Sequence, residues 1–151
     1  MVCLGLVVES VLSAPSAPAP AVYVFRPSSF DNLARTVVVS ADGLAIAELA
    51  SCSYTKFSLP PGKHLISVMV KPWPLDKSAS RQTLAIYFPV VDGQKNFFGY
   101  YPSQLSAAEL SSTFIVHEVA EGRYPHYFGI VHADVAAKAI VECTEVKALR
   151  E

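Results

Sequence analysis

The chain has 151 residues, 12 Lys/Arg against 13 Asp/Glu for a formal net charge of -1, and 52% hydrophobic against 17% charged residues. This suits one domain with a sizeable core and excludes wholesale disorder. The lysines and arginines are scattered rather than blocked, so there is no electrostatic footprint for nucleic acid, and no nucleic-acid partner is expected.

Residues 1–12 hold a short apolar run, VCLGLVV, and SAPSAPAPA follows as an extended Pro/Ala spacer. A short apolar run followed by small residues resembles the end of a secretory signal peptide, although Glu9 interrupts it and no Lys or Arg precedes it. It is too short for a membrane span, which needs about twenty residues. The reading is a signal-like segment and spacer over 1–20, then one β-rich domain over 21–151, exported to the periplasm or cell envelope. Membrane association is expected only through an N-terminal anchor. A cytoplasmic leader is the alternative.

From Ala21 the pattern is strand-like: AVYVF alternates, and Arg26-Pro27-Ser28-Ser29 breaks it because proline cannot donate to a ladder. Residues 35–40 and 44–49 read as strands joined at Asp42-Gly43, a tight-hairpin dipeptide. In residues 53–59, Thr55 and Phe57 share one face, Tyr54 and Lys56 the other. Pro60-Pro61-Gly62 fixes a turn into a strand over 64–71, with His64 closing that turn. After a proline-broken loop holding Trp73, a strand spans 81–91, its Pro89 marking a bulge or an edge. Asp92-Gly93 reads as a second hairpin, leading into 94–101.

Ser106-Ala107-Ala108-Glu109 has capping-box form and starts a short helix. A strand follows over 113–119, then an aromatic-rich loop or strand edge over 122–128. Helical spacing of Val135, Ala136, Ala139, Ile140 and Cys143 predicts a helix over 135–143 with Asp134 as N-cap; a closing strand in AIVECTEV is the alternative. The expected fold is mainly β, an antiparallel β-sandwich of transthyretin/Ig-like type. One or two short helices are expected, the C-terminal one packed on the sheet.

Cys3, Cys52 and Cys143 form no C-x-x-C pair. For Cys52 and Cys143 the reading is two buried thiols, with a disulfide as the alternative in an oxidising compartment. Neither cysteine lies in a nucleophile signature, and no Gly-rich phosphate loop is present. No cofactor is expected. His117, His126, His132 and Asp134 are the candidate ligands should the protein bind a metal or hydrolyse a substrate, though their spacing matches no standard motif. Trp73, Tyr100, Tyr101, Tyr124 and Tyr127 are candidates for an exposed aromatic surface, with ordinary core packing as the competing role.

The strings YVFRPSSF and SYTKFSLPPGKH, in that order around the Asp-Gly hairpin, resemble the bacterial family called domain of unknown function 2846. The resemblance covers about residues 22–119, and the C-terminal helical segment also fits. It implies a small exported or lipid-anchored β-sandwich of the cell envelope whose activity is not established. No lipobox is visible here, so a lipid anchor is not carried over, and GRYPHYFGIV has no counterpart. The Pro-Pro-Gly-Lys-His turn is also similar to sandwich modules of transthyretin-like and PEGA kind, a likeness of fold only. Arg26 and Pro27, with Pro60, Pro61, Gly62 and His64, are read as architecture: Arg26 as an ion-pair or carbonyl-binding anchor, the turn as a connector. The expected function is a non-catalytic binding or structural module with an envelope protein or glycan as partner. A metal-binding protein or hydrolase, and a cytoplasmic interaction protein, are the alternatives.

Overall fold

The computed structural model describes residues 21–28, 35–71, 83–121 and 125–149. The leader over 1–20, Cys3, Ser29, Trp73 and Tyr124 lie outside them.

β1 (Ala21–Arg26) ends where Pro27 withdraws its donor. β2 (Val37–Ala41) and β3 (Leu44–Leu49) form the expected two-residue hairpin. Asp42 at φ 50° and Gly43 at φ 81° place both turn residues in the left-handed region that this tight turn requires. β4 (Ser53–Ser58) runs into the Pro60-Pro61-Gly62 turn, and β5 (Gly62–Val70) leaves it. Among the described strands β6 (Thr83–Val90) pairs only with β5, so Pro89 sits on an edge strand, where proline is tolerated. These strands give one antiparallel four-stranded sheet, ordered β3-β2-β5-β6.

The other sheet has six strands, ordered β10-β4-β1-β7-β9-β8, and is mixed. β7 (Lys95–Tyr101) pairs parallel with β1 and antiparallel with β9 (His126–Val131). Asp92-Gly93 therefore does not make a second hairpin. The turn is local, with Val91 accepting from the Gln94 N–H at 3.3 Å and Gly93 at φ 75°. It passes the chain from one sheet to the other. The 122–128 region is likewise corrected. From His126 onward it is an interior strand between β7 and β8 (Phe114–Ala120), and burial of both faces erases the alternation that marks a strand.

α1 (Ala107–Thr113) starts at the capping box: Ser106 Oγ accepts from the Glu109 N–H at 3.2 Å, and Glu109 Oε2 from the Ser106 N–H at 2.7 Å. α2 (Ala133–Glu142) begins earlier than the sequence pattern suggests, with His132 as N-cap and Asp134 inside the first turn. β10 (Thr144–Glu145) follows at once, so the helix and the closing strand both form. After β10 the tail bonds Val146 N–H to the Tyr54 carbonyl and Leu149 N–H to the Ile46 carbonyl, each at 2.7 Å. It thereby covers the β4 edge and crosses to the other sheet.

The protein is thus mainly β, two sheets packed as a sandwich, with the C-terminal helix against sheet strands. The main core lies between the sheets, where Val22, Val24 and Phe98 meet Val39, Ile66 and Val68. A second core lies on the outer face of the six-stranded sheet, where the helices and the strands beside them enclose Phe25, Phe114, Tyr127, Val131 and Ala136. Cys52 and Cys143 are joined as a disulfide, so the buried-thiol reading is replaced. Both are half-buried, one in the turn before β4 and the other capping α2. Their separation of 91 residues makes the cross-link worth about 4–5 kcal/mol in the chain-entropy account.

Gly129 is required by close approach. A Cβ there would strike the Val116 carbonyl oxygen and lie 2.7 Å from His117 Cα, at the bulge where β8 changes register. A Cβ at Gly99 would meet only side chains, the nearest being the Tyr101 ring at 2.8 Å. We therefore expect Gly129→Ala to cost about 3 kcal/mol or more in urea unfolding and Gly99→Ala about 1 kcal/mol. Equal costs would contradict the backbone-contact account.

Candidate functional site

The most polar part of the interior sits at one end of the sandwich. Arg26, the last residue of β1, is fully buried and turns inward. Its Nη1 donates to the Arg35 carbonyl ahead of β2 and, at 3.5 Å, to the Leu49 carbonyl at the end of β3. The guanidinium also lies 5.8 Å from the Tyr100 ring centroid. Tyr100 Oη lies 2.6 Å from His126 Nδ1, with the two rings stacked.

Burial lowers the Arg26 pKa, though an arginine has ample margin to stay charged. Burial pushes the Tyr100 phenol up to about 12, against the opposing pull of Arg26 and Arg35. His126 is pushed below its ordinary value by burial, then by Arg35 and Arg26. The phenol therefore keeps its proton and donates to a neutral imidazole, whose own proton is on Nε2. A bonded phenol beside a neutral imidazole is a structural polar cluster with neither a nucleophile nor an acid–base pair aimed at a cavity.

The Pro60-Pro61-Gly62 turn is held by a second polar group. Gly62 takes φ 131°, a conformation side chains resist. His64 Nδ1 lies 2.6 Å from Asp42 Oδ2, and its Nε2 lies 2.7 Å from the Pro60 carbonyl. Asp42 Oδ1 also accepts from the Leu65 N–H at 2.9 Å. Both imidazole nitrogens face acceptors, so the protonated ring satisfies both. The Asp42 bond is the main reason the His64 pKa is raised, and the same bond lowers Asp42. With Nε2 committed to a carbonyl, this His–Asp pair clamps two turns together.

The four candidate metal ligands do not converge. His126 is buried on Tyr100, His117 lies among the Phe114 and Tyr127 rings, His132 caps α2 and Asp134 is on its exposed first turn. Among the described residues no group of three His, Cys, Asp or Glu is placed to hold a metal ion. The aromatic surface is also corrected for the residues that can be placed. Tyr100 and Tyr127 are buried, and Tyr101 is half-buried against Phe25 and Phe114, burial raising its phenol to about 12. Trp73 and Tyr124 fall outside the described residues.

The broadest exposed surface of a different kind is the outer face of the four-stranded sheet, since both helices lie on the other sheet. Ala45, Ser40, Ser67 and Ala85 stand in register across all four strands and make a shallow trough about 14 Å long, at about 4.8 Å per strand. Val38, Met69 and Thr83 line one side. Leu65 and Tyr87 line the other, with Tyr87 66% exposed and Lys63 Nζ 4.8 Å from its ring centroid. Lys71 Nζ bonds Glu48 Oε2 at 2.8 Å at the rim, which lowers the Glu48 pKa. Tyr87 is the aromatic residue that the sequence reading missed. The alternation of Leu84, Ile86 and Val90 inward already sends it outward.

No protein family, curated protein or solved structure matches this chain. Among the described residues no helix is long and apolar enough to cross a membrane.

The two histidines carry pH-dependent stability of opposite sign. His64 is held above its ordinary 6.5, so its share is complete below pH 6.5 and is lost as pH rises through its folded value. Asp42 is held below 3.8, so its share is present above pH 3.8 and is lost only in stronger acid. His126 is held below 6.5, so its share is present above pH 6.5 and is lost as pH falls. His64→Gln should therefore cost more stability at pH 5.5 than at pH 8.5 in urea titrations; equal costs would exclude the clamp. Tyr100→Phe should cost about 1–3 kcal/mol by leaving His126 Nδ1 buried without its donor, and a neutral result would remove the cluster from the account.

Proposed function

We propose that this protein is a non-catalytic binding module of the bacterial cell envelope, related to the domain of unknown function 2846 family. The binding surface is the outer face of the four-stranded sheet. The observation that carries this reading is the trough of Ala45, Ser40, Ser67 and Ala85 with Tyr87 exposed beside it. Small side chains across four strands leave a smooth floor. Serine hydroxyls, an exposed ring and the Lys71–Glu48 rim supply hydrogen bonds and contact area to an envelope glycan or protein.

The disulfide supports the export half of the reading. Structural disulfides persist in oxidising compartments and are rare in cytosolic proteins. The oxidising compartment meant here is the periplasm or envelope, reached through the signal-like segment of residues 1–12. The buried Arg26 cluster and the His64 clamp are the frame that holds the sheet edges.

Two assays test this. Natively expressed protein should fractionate with the periplasm or membranes and show, by intact mass, no free thiols at Cys52 and Cys143; a cytoplasmic protein with free thiols would defeat the export half. Purified protein should co-sediment with isolated sacculi or with envelope proteins. Tyr87→Ala and Ser67→Arg should each reduce that binding about tenfold or more, with Tm nearly unchanged because both side chains project to solvent. Binding unaffected by either substitution would remove this face from the proposal.

A further inference from the structure

We infer that the C-terminal arm, residues 133–149, is a cover latched over an aromatic face of the six-stranded sheet and released when a dithiol reduces Cys52–Cys143. This surface is separate from the four-stranded face and does not depend on it. The arm comprises α2, β10 and the tail. Within α2 only Ala136 is buried, while Val135, Ala139 and Ile140 are half-buried and Val141 is 85% exposed. Beyond the helix the arm is held by a two-residue strand and by main-chain bonds from Thr144 at 3.1 Å and from Val146 and Leu149 at 2.7 Å.

What the arm covers is larger than what it contributes. Phe25, Tyr127 and Val131 lie beneath α2, with Tyr54, Phe97 and Tyr101 packed around them. Two hollows flank the arm. One, of about 290 Å³, lies between α2 and the end of β1, lined by Pro27, Tyr101, Val135, Ala139 and Cys143. The other, of about 520 Å³, lies beside the tail, lined by Tyr23, Lys56, Glu145 and Lys147. Close-packed interiors hold few voids larger than a water molecule, so contact on this scale marks a surface that separates readily. The covalent tie stands at the joint between α2 and β10. It runs to Cys52, a half-exposed residue in a tight turn at φ 51°, where a non-glycine backbone is strained.

The chemistry is a two-electron exchange. A thiolate of the dithiol attacks one sulfur, forming a mixed disulfide and expelling the other cysteine as a thiolate that takes a proton. The second thiol of the donor then closes its own disulfide and releases the remaining cysteine, so the protein gains two electrons and two protons while the dithiol is oxidised. Nothing in the main core between the sheets passes through this bond.

The test is hydrogen exchange on the full chain, oxidised and after dithiothreitol under native conditions. Reduction should speed exchange of amides over 135–149 about a hundredfold or more, with β1, β7 and β9 unchanged. Tryptic cleavage after Lys138 and Lys147 should rise in parallel, and reoxidation should restore protection. Equal protection of the arm in both states would overturn the latch, because the contacts alone would then hold it. Loss of protection in β1, β7 and β9 together with the arm would overturn it too, making the bond a staple of the whole domain. Cys52→Ser/Cys143→Ser should reproduce the reduced pattern without reductant. If that variant does not fold, protein reduced from the folded oxidised state still gives the decisive reading.

Discussion

Two sheets that meet only through apolar side chains are free to slide, and the buried guanidinium of Arg26 is what pins them. It sits at the end of β1 in one sheet and donates to carbonyls at the ends of β2 and β3 in the other. Hydrogen bonds to a charged group are stronger than neutral ones, and their cost of desolvation is recovered only when the partners are in place. Arg26 thus makes one relative position of the sheets better than its neighbours. The rest of that end follows: Tyr100 stacks beneath the charge, His126 is neutral because two arginines stand near it, and the Tyr100 hydroxyl supplies the missing bond.

The polar groups divide the molecule into a fixed frame and surfaces presented by it. At the other sheet, His64 and Asp42 bind the tight hairpin to the proline turn, keeping β2, β3 and β5 flat against one another. That flatness lets Ala45, Ser40, Ser67 and Ala85 line up across four strands. The six-stranded sheet is treated differently. Its outer face is rich in aromatic rings and is roofed by the helices, the C-terminal one held through a single cross-link.

Much of the fold was legible because local chemistry and tertiary structure agree. Asp42-Gly43 reads as a hairpin and is one; the alternation of residues 53–58 assigns Thr55 and Phe57 inward, and both are buried; Ser106 and Glu109 read as a capping box and form it. Where the reading failed, the deciding fact was not local. Asp92-Gly93 is the same dipeptide as Asp42-Gly43, but a dipeptide sets a turn and not the strand that follows it, and β7 finds β1 and β9 instead of β6. The candidate site was less legible still. Tyr100 and Tyr127 resemble surface aromatics until both faces of their sheet prove covered, and the histidines are scattered by a topology that spacing does not encode. The disulfide joins residues 91 apart, where sequence carries no distance.

The placement of β1 bears on how the chain assembles in time. It is the first strand of the sandwich, yet it lies in the middle of its sheet, with Val24 beside Thr55 on one flank and Phe98 on the other. A parallel neighbour more than seventy residues downstream cannot be reached by local zipping, and such non-local pairing places a domain among the slow folders, in milliseconds to seconds. The centre of the larger sheet stays open until β7 has emerged, and the cross-link closes only after α2 is in place. A chain that must wait for its own distal half is suited to crossing a membrane before it folds, arriving unfolded where an oxidant can seal the last contact.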